Sequence, residues 1–158
     1  MIDLESILAE WKVDCQIEKH QLDETSRVTP MLHAKYLEYL SLTKLRHKKA
    51  EFDQKTLLKD KYLYYEGKMS QEDIQSRGWA YDPYEGLSAT TKNFKEYYYD
   101  SDKEIQDSEM KIQYLKNIID TDKENMKLNQ KKNKELLEMN NLNNKLNNTQ
   151  FINKAPKN

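Results

Sequence analysis

TPMLHAKYLEYLSLTKLRHKKAEFDQKTLLKDKYLYYEG, residues 29–67, is the stretch whose reading decides the fold. Thr29 followed by Pro30 marks a helix start, because the threonine oxygen caps free N–H groups and proline lacks the one that would be orphaned. No proline or glycine interrupts the segment again until Gly67. At 1.5 Å per residue the interval makes a helix about 55 Å long. Leu37, Leu40, Leu45, Phe52, Leu58, Tyr62 and Tyr65 supply an imperfect apolar stripe along it. So long a helix without a wide apolar face must pack against other long helices. Gly67 is read first as a left-handed helix C-cap.

The flanking sequence repeats the theme. Leu4, Ile7, Leu8 and Trp11 follow the spacing of one helical face. Residues 67–91 hold all three glycines, Pro83 and the cluster Trp79, Tyr81 and Tyr84, and are read as an aromatic loop. From Lys92 a helical pattern resumes, with Tyr98, Ile105, Ile112, Ile119 and Met126 recurring every seven residues. Leu115 adds a second seam position, whereas Ser101, Ser108 and Asp122 occupy its equivalents, so the heptad is half-built and needs neighbours. Beyond Met126 the chain turns rich in lysine and asparagine, yet Leu136, Met139, Leu142 and Leu146 keep helical spacing. Two parts follow: residues 1–125, a helical packing domain with its loop at 67–91, and residues 126–158, an oligomerisation helix or tail with its last residues disordered.

Composition agrees with an all-α chain of long helices joined by an aromatic loop and packed in a homo-oligomeric helical assembly. Of 158 residues, 37% are apolar and 34% charged, against roughly 45–50% and 25% in ordinary domains. A thick single-chain core is therefore not expected, and assembly would supply the missing burial. Only 3 glycines and 3 prolines disfavour sandwiches of many short strands. A signal-peptide pattern and an apolar run near 18 residues are both missing, which predicts a soluble intracellular protein without a membrane partner.

Chemistry-bearing motifs are sparse. The sequence has no phosphate-binding glycine loop, no nucleophile elbow and no HExxH, so no catalytic residues are assigned. His20, His33 and His47 are widely spaced, and the single Cys15 has no candidate base beside it, so no metal site and no cofactor are expected. What remains is charge. The net charge of −1 hides alternating blocks, −4 over residues 1–29, +4 over 30–68, −6 over 69–125 and +5 over 126–158. Within the first basic block, Lys44, Arg46, Lys48, Lys49, Lys55, Lys59, Lys61 and Lys68 accompany Phe52, Tyr62, Tyr64 and Tyr65. Lysines neutralise phosphates and aromatic faces accept unpaired bases, a combination suited to single-stranded nucleic acid. The alternative is that the tyrosines pack between helices and the lysines only solubilise a long one. Adjacent Tyr64 and Tyr65 project about 100° apart, so at least one is expected to be structural.

KDKYLYYEGK (59–68), following the long helix that opens at TPMLHAKYLEYL (29–40) and the short LESILAEW helix (4–11), resembles the UvsY family of phage recombination mediators. The resemblance implies a non-enzymatic factor, in the cytoplasm of an infected bacterial host, that binds single-stranded DNA. It further implies a hexameric or heptameric ring that helps a RecA-like recombinase displace the single-strand-binding protein. The family's DNA-binding segment carries over to Lys59 and Lys61 ahead of Tyr64, Tyr65 and Gly67, and the charge argument adds Lys48, Lys55 and Lys68. Oligomerisation is expected from Ile105, Ile112, Leu115, Ile119 and Met126, with Leu136, Met139, Leu142 and Leu146 as a second contact. The rival reading is a coiled-coil adaptor or virion assembly protein that does not bind DNA.

Overall fold

The computed structural model describes residues 3–14, 22–88 and 91–153, and the elements among them are helices: α1 (Leu4–Asp14), α2 (Leu22–Tyr65), α3 (Gln71–Arg77), α4 (Lys92–Asp100) and α5 (Lys103–Asn153). Cys15, His20 and residues 154–158, the last expected to be disordered, lie outside the described residues. No described helix is long and apolar enough to cross a membrane. The chain's contacts divide it into two compact units, one of residues up to 42 with those from 118 onward, the other of residues 43–117. This division follows packing, and so differs from the compositional boundary after residue 125.

Three boundaries differ from the sequence reading. α2 begins at Leu22 and carries Pro30 inside it, on its exposed side. One hydrogen bond is lost there, and the helix runs on regardless. Residues 67–91 are not all loop, because Ser70 caps α3 by accepting from the Asp73 N–H and the helix closes on Gly78 at φ 69°. The helix from Lys92 is broken at Ser101, after which the Asp102 carboxylate accepts from the N–H groups of Glu104 (3.0 Å) and Ile105 (3.3 Å) and starts α5 afresh. The reading of Gly67 holds. With φ at 70°, Gly67 N–H donates to the Tyr64 carbonyl and Lys68 N–H to that of Leu63, the paired bonds of a Schellman stop.

The buried side of α2 keeps only Leu40 and Tyr65 of the predicted stripe, with Leu58 half-buried. Leu37, Leu45, Phe52 and Tyr62 are exposed, whereas Tyr36, Leu40, Thr43, Ala50, Lys61 and Tyr64 are buried, with His47, Gln54 and Leu57 half-buried between them. These positions alternate steps of three and four, a heptad seam written largely in polar and small residues. α5 matches it: Ile105, Ile119, Asp122, Asn129 and Leu136 are buried, and Ser108, Ile112, Leu115 and Met126 half-buried. In the 43–117 unit the two seams meet antiparallel, Lys61 reaching Asp102 while Ala50 and Leu57 line one small cavity with Ser108. In the other unit, α1 is held to α2 by Trp11 edge-on to Tyr36 (5.0 Å), by Tyr36 Oη donating to Asp14 (2.8 Å), and by Lys35 bridging Glu10 and Asp14.

Asp122 is fully buried, and neither carboxylate oxygen has a hydrogen-bond partner among the described residues. Burial pushes its pKa up from 3.8 to about 6. A folded value above the unfolded one means that stability is fully present below 3.8 and is lost as pH rises through about 6. Asp122→Asn, which cannot ionise, should therefore stabilise the protein by about 1–3 kcal/mol at pH 7 and by little at pH 4. Thermal melts at the two pH values check this, and an equal effect at both would rule out the buried charge as the cause.

Candidate nucleic-acid interface

The 43–117 unit places the basic segment of α2 over an aromatic core. Tyr64, Tyr65, Ile74 and Tyr84 are buried together, with Met69, Trp79, Phe94, Tyr98 and Tyr99 packed against them. Tyr64 Oη donates to the Ala80 carbonyl (2.6 Å), and Tyr84 Oη to that of Tyr65 (2.7 Å). Tyr65 Oη donates to Asp102 Oδ2 (2.7 Å), the oxygen that also takes Lys61 Nζ at 2.9 Å. Lys61 is only 4% exposed, lies 3.9 Å from the centroid of the Trp79 ring and has Glu104 at 3.6 Å. Trp79 Nε1 donates to that same Glu104 (2.8 Å). Burial raises the phenol pKa of Tyr65, and the Asp102 hydrogen bond adds to the rise. For Asp102 burial also acts upward, but the bonds from Lys61 and Tyr65 outweigh it and hold the carboxyl below its usual range.

Lys61, Tyr64 and Tyr65, expected at the DNA interface, are buried in this unit. Their charged and aromatic surfaces are spent inside the unit, and a ring covered by its own chain offers no face to a base. The two tyrosines pack as the alternative expects, whereas Lys61 is buried in an ion pair rather than solubilising the helix.

The opposite face of α2 carries the remaining candidates. At 100° per residue, Lys44, Lys48, Phe52, Lys55, Lys59 and Tyr62 fall on the side away from Ala50, Lys61 and Tyr64, and all six are exposed. None of the carboxylates between residues 43 and 65 lies on that arc. Glu51, at its edge, accepts from Lys48 Nζ (2.9 Å), which holds the Glu51 pKa below its usual range. Lys59 has Asp60 at 3.4 Å. Exposed pairs of this kind are weak and leave the lysines available to phosphates. Lys59 and Lys68 further share the lining of a cleft of about 460 Å³ with Asp60, Asp73 and Arg77, and Arg77 is bonded to Asp60. A larger groove of about 690 Å³ beside Tyr62 contains Lys92 and Lys95, but its lining also holds Glu66, Glu96 and Asp100, so it has no excess of positive charge. Among the described residues no group of His, Cys, Asp and Glu could hold a metal ion.

The assembly candidates separate in the same way. Ile105, Ile119 and Leu136 are buried within the chain, and Ile112, Leu115 and Met126 are half-buried there. Met139, Leu142 and Leu146 are 51%, 60% and 61% exposed.

A family model described as recombination, repair and ssDNA binding protein UvsY matches residues 10–148. Two crystal structures of the bacteriophage T4 recombination mediator protein UvsY, lattice types II and IV, share the fold with TM-scores of 0.69 and 0.67. Their identity to this chain is 19% and 18%, covering 90% of it and 96% and 97% of theirs. No curated protein sequence matches.

Because Lys61 neutralises a carboxylate that also caps α5, Lys61→Ala should cost about 3–5 kcal/mol of stability by leaving that charge buried and unpaired. Lys59→Ala, at an exposed position, should leave the melting temperature within error. Acid should act on the same pair, since the depressed Asp102 pKa makes its contribution present above 3.8 and lost as pH falls through the lower folded value. Denaturant titrations of both variants test the assignment; equal stability would remove Lys61 from the core.

Proposed function

Since this chain belongs to the UvsY family of recombination, repair and single-stranded-DNA-binding proteins, we propose that it is a recombination mediator whose DNA contacts lie on the exposed lysine face of α2. Lys48, Lys55 and Lys59 on that face, with Lys68 just beyond the helix end and sharing a cleft with Lys59, are the side chains we assign to phosphates. The observation that carries this reading is the carboxylate-free arc of lysines turned away from the core, in a family whose description names single-stranded DNA. The protein would act by binding rather than by catalysis. It would hold the strand so that a RecA-like recombinase gains contacts as the single-strand-binding protein loses them, in the cytoplasm of the infected host.

We assign assembly into a hexamer or heptamer chiefly to Met139, Leu142 and Leu146. The buried members of the α5 seam, Ile105, Ile119 and Leu136, are engaged within the chain. The exposed three lie about 60–120° around the helix from Leu136, on a stripe of their own. A ring would repeat a weak DNA site many times and so multiply its affinity.

Binding to oligo(dT) should weaken as salt rises, and each of Lys55→Ala and Lys59→Ala should reduce the magnitude of the log–log slope by about 0.7. A protein with no salt-dependent binding would be an adaptor instead. Truncation after Glu138 keeps the buried Leu136 and should give folded, smaller species by light scattering; an intact oligomer would return assembly to the earlier helices.

A further inference from the structure

We propose that Phe52 and Tyr62 are the side chains on which bases stack, and that they grip a single strand at two points along α2. This rests on the reading of the lysine face as the DNA interface and names the ring contacts of that face. Both rings are 55% exposed, and both belong to the arc turned away from the buried Tyr64. Lone exposed aromatics are ordinary on protein surfaces. The order of the four residues is what argues for a site. Along the helix it runs Phe52, Lys55, Lys59, Tyr62, with steps of three, four and three, which keep ring, ammonium, ammonium and ring on one line. Lys48 Nζ sits 5.2 Å from the Phe52 ring centroid and extends that line by one more cation.

The two rings are separated by ten residues, about 15 Å of helix rise. A strand at the B-form advance of about 3.4 Å per nucleotide covers that distance in about four steps, and a stretched strand in fewer. One ring at each end takes a base while Lys55 and Lys59 take the phosphates between, so the strand lies along the helix axis. In a duplex the base faces are already stacked on one another, and the same rings gain nothing. The arrangement therefore selects single strands without reading sequence.

The test compares oligo(dT) with an abasic deoxyribose-phosphate chain of equal length, at equal salt, using the full-length protein. Phe52→Ala and Tyr62→Ala should each weaken dT binding by about 5- to 150-fold, with an unchanged salt slope and an unchanged affinity for the abasic chain. Phe52→Leu and Tyr62→Leu, which keep apolar volume but lose the ring, should show the same loss without altering the melting temperature. Variants that bind dT as tightly as the parent, or that weaken equally on the abasic chain, would overturn the stacking assignment and leave the lysine interface standing. Failure of the parent protein to bind either chain would overturn the interface itself, and the ring contacts with it.

Discussion

The Asp102 carboxylate answers three demands at once. Its Oδ1 takes the free N–H groups that open α5, and its Oδ2 takes both the Lys61 ammonium and the Tyr65 hydroxyl from α2. A buried carboxylate or a buried ammonium alone would be expensive. Together, and with Trp79 lying over the ammonium, they fix the end of α2, the start of α5 and the register between them. In the 43–117 unit the aromatic core can close only because this pair is satisfied, since Tyr65 is both a member of the core and a donor to Asp102.

That commitment sorts the basic segment into two faces. A helix gives each residue one direction, and the inward direction is claimed by Tyr64, Tyr65 and Lys61. Lys48, Lys55 and Lys59 are left outside, with Phe52 and Tyr62 among them. The cations best placed to meet phosphates are those the core does not use. Segregation by face separates the charge that holds the fold together from the charge available for binding, although both come from one short run of sequence.

Asp122 belongs to the same seam of α5, but its carboxylate has no hydrogen-bond partner among the described residues. With Asn125 and Asn129 buried nearby on the helix, it makes the seam polar where a coiled coil would be apolar. Such a layer costs stability, and the lean composition leaves little apolar burial to offset it. The exposed leucines and methionine at the far end of α5 are consistent with burial completed by other copies of the chain.

Much was legible from residues alone. Scarce glycine and proline with seven-residue spacing in α5 required long helices, and Gly67 required a stop because a positive φ suits a residue without a Cβ. KDKYLYYEGK carried the family resemblance. The face of α2 was not legible, because its true seam runs through Tyr36, Thr43, His47, Ala50, Gln54 and Lys61, and hydrophobicity does not mark threonine, glutamine or lysine as inward. The break at Asp102 was equally hidden, since an aspartate capping a helix and one on a solvated face are the same letter. Local sequence sets where a chain can coil and where it must stop. Which lysine is a core residue and which is free depends on a carboxylate some forty positions away, and only the packing of α5 against α2 brings the two together.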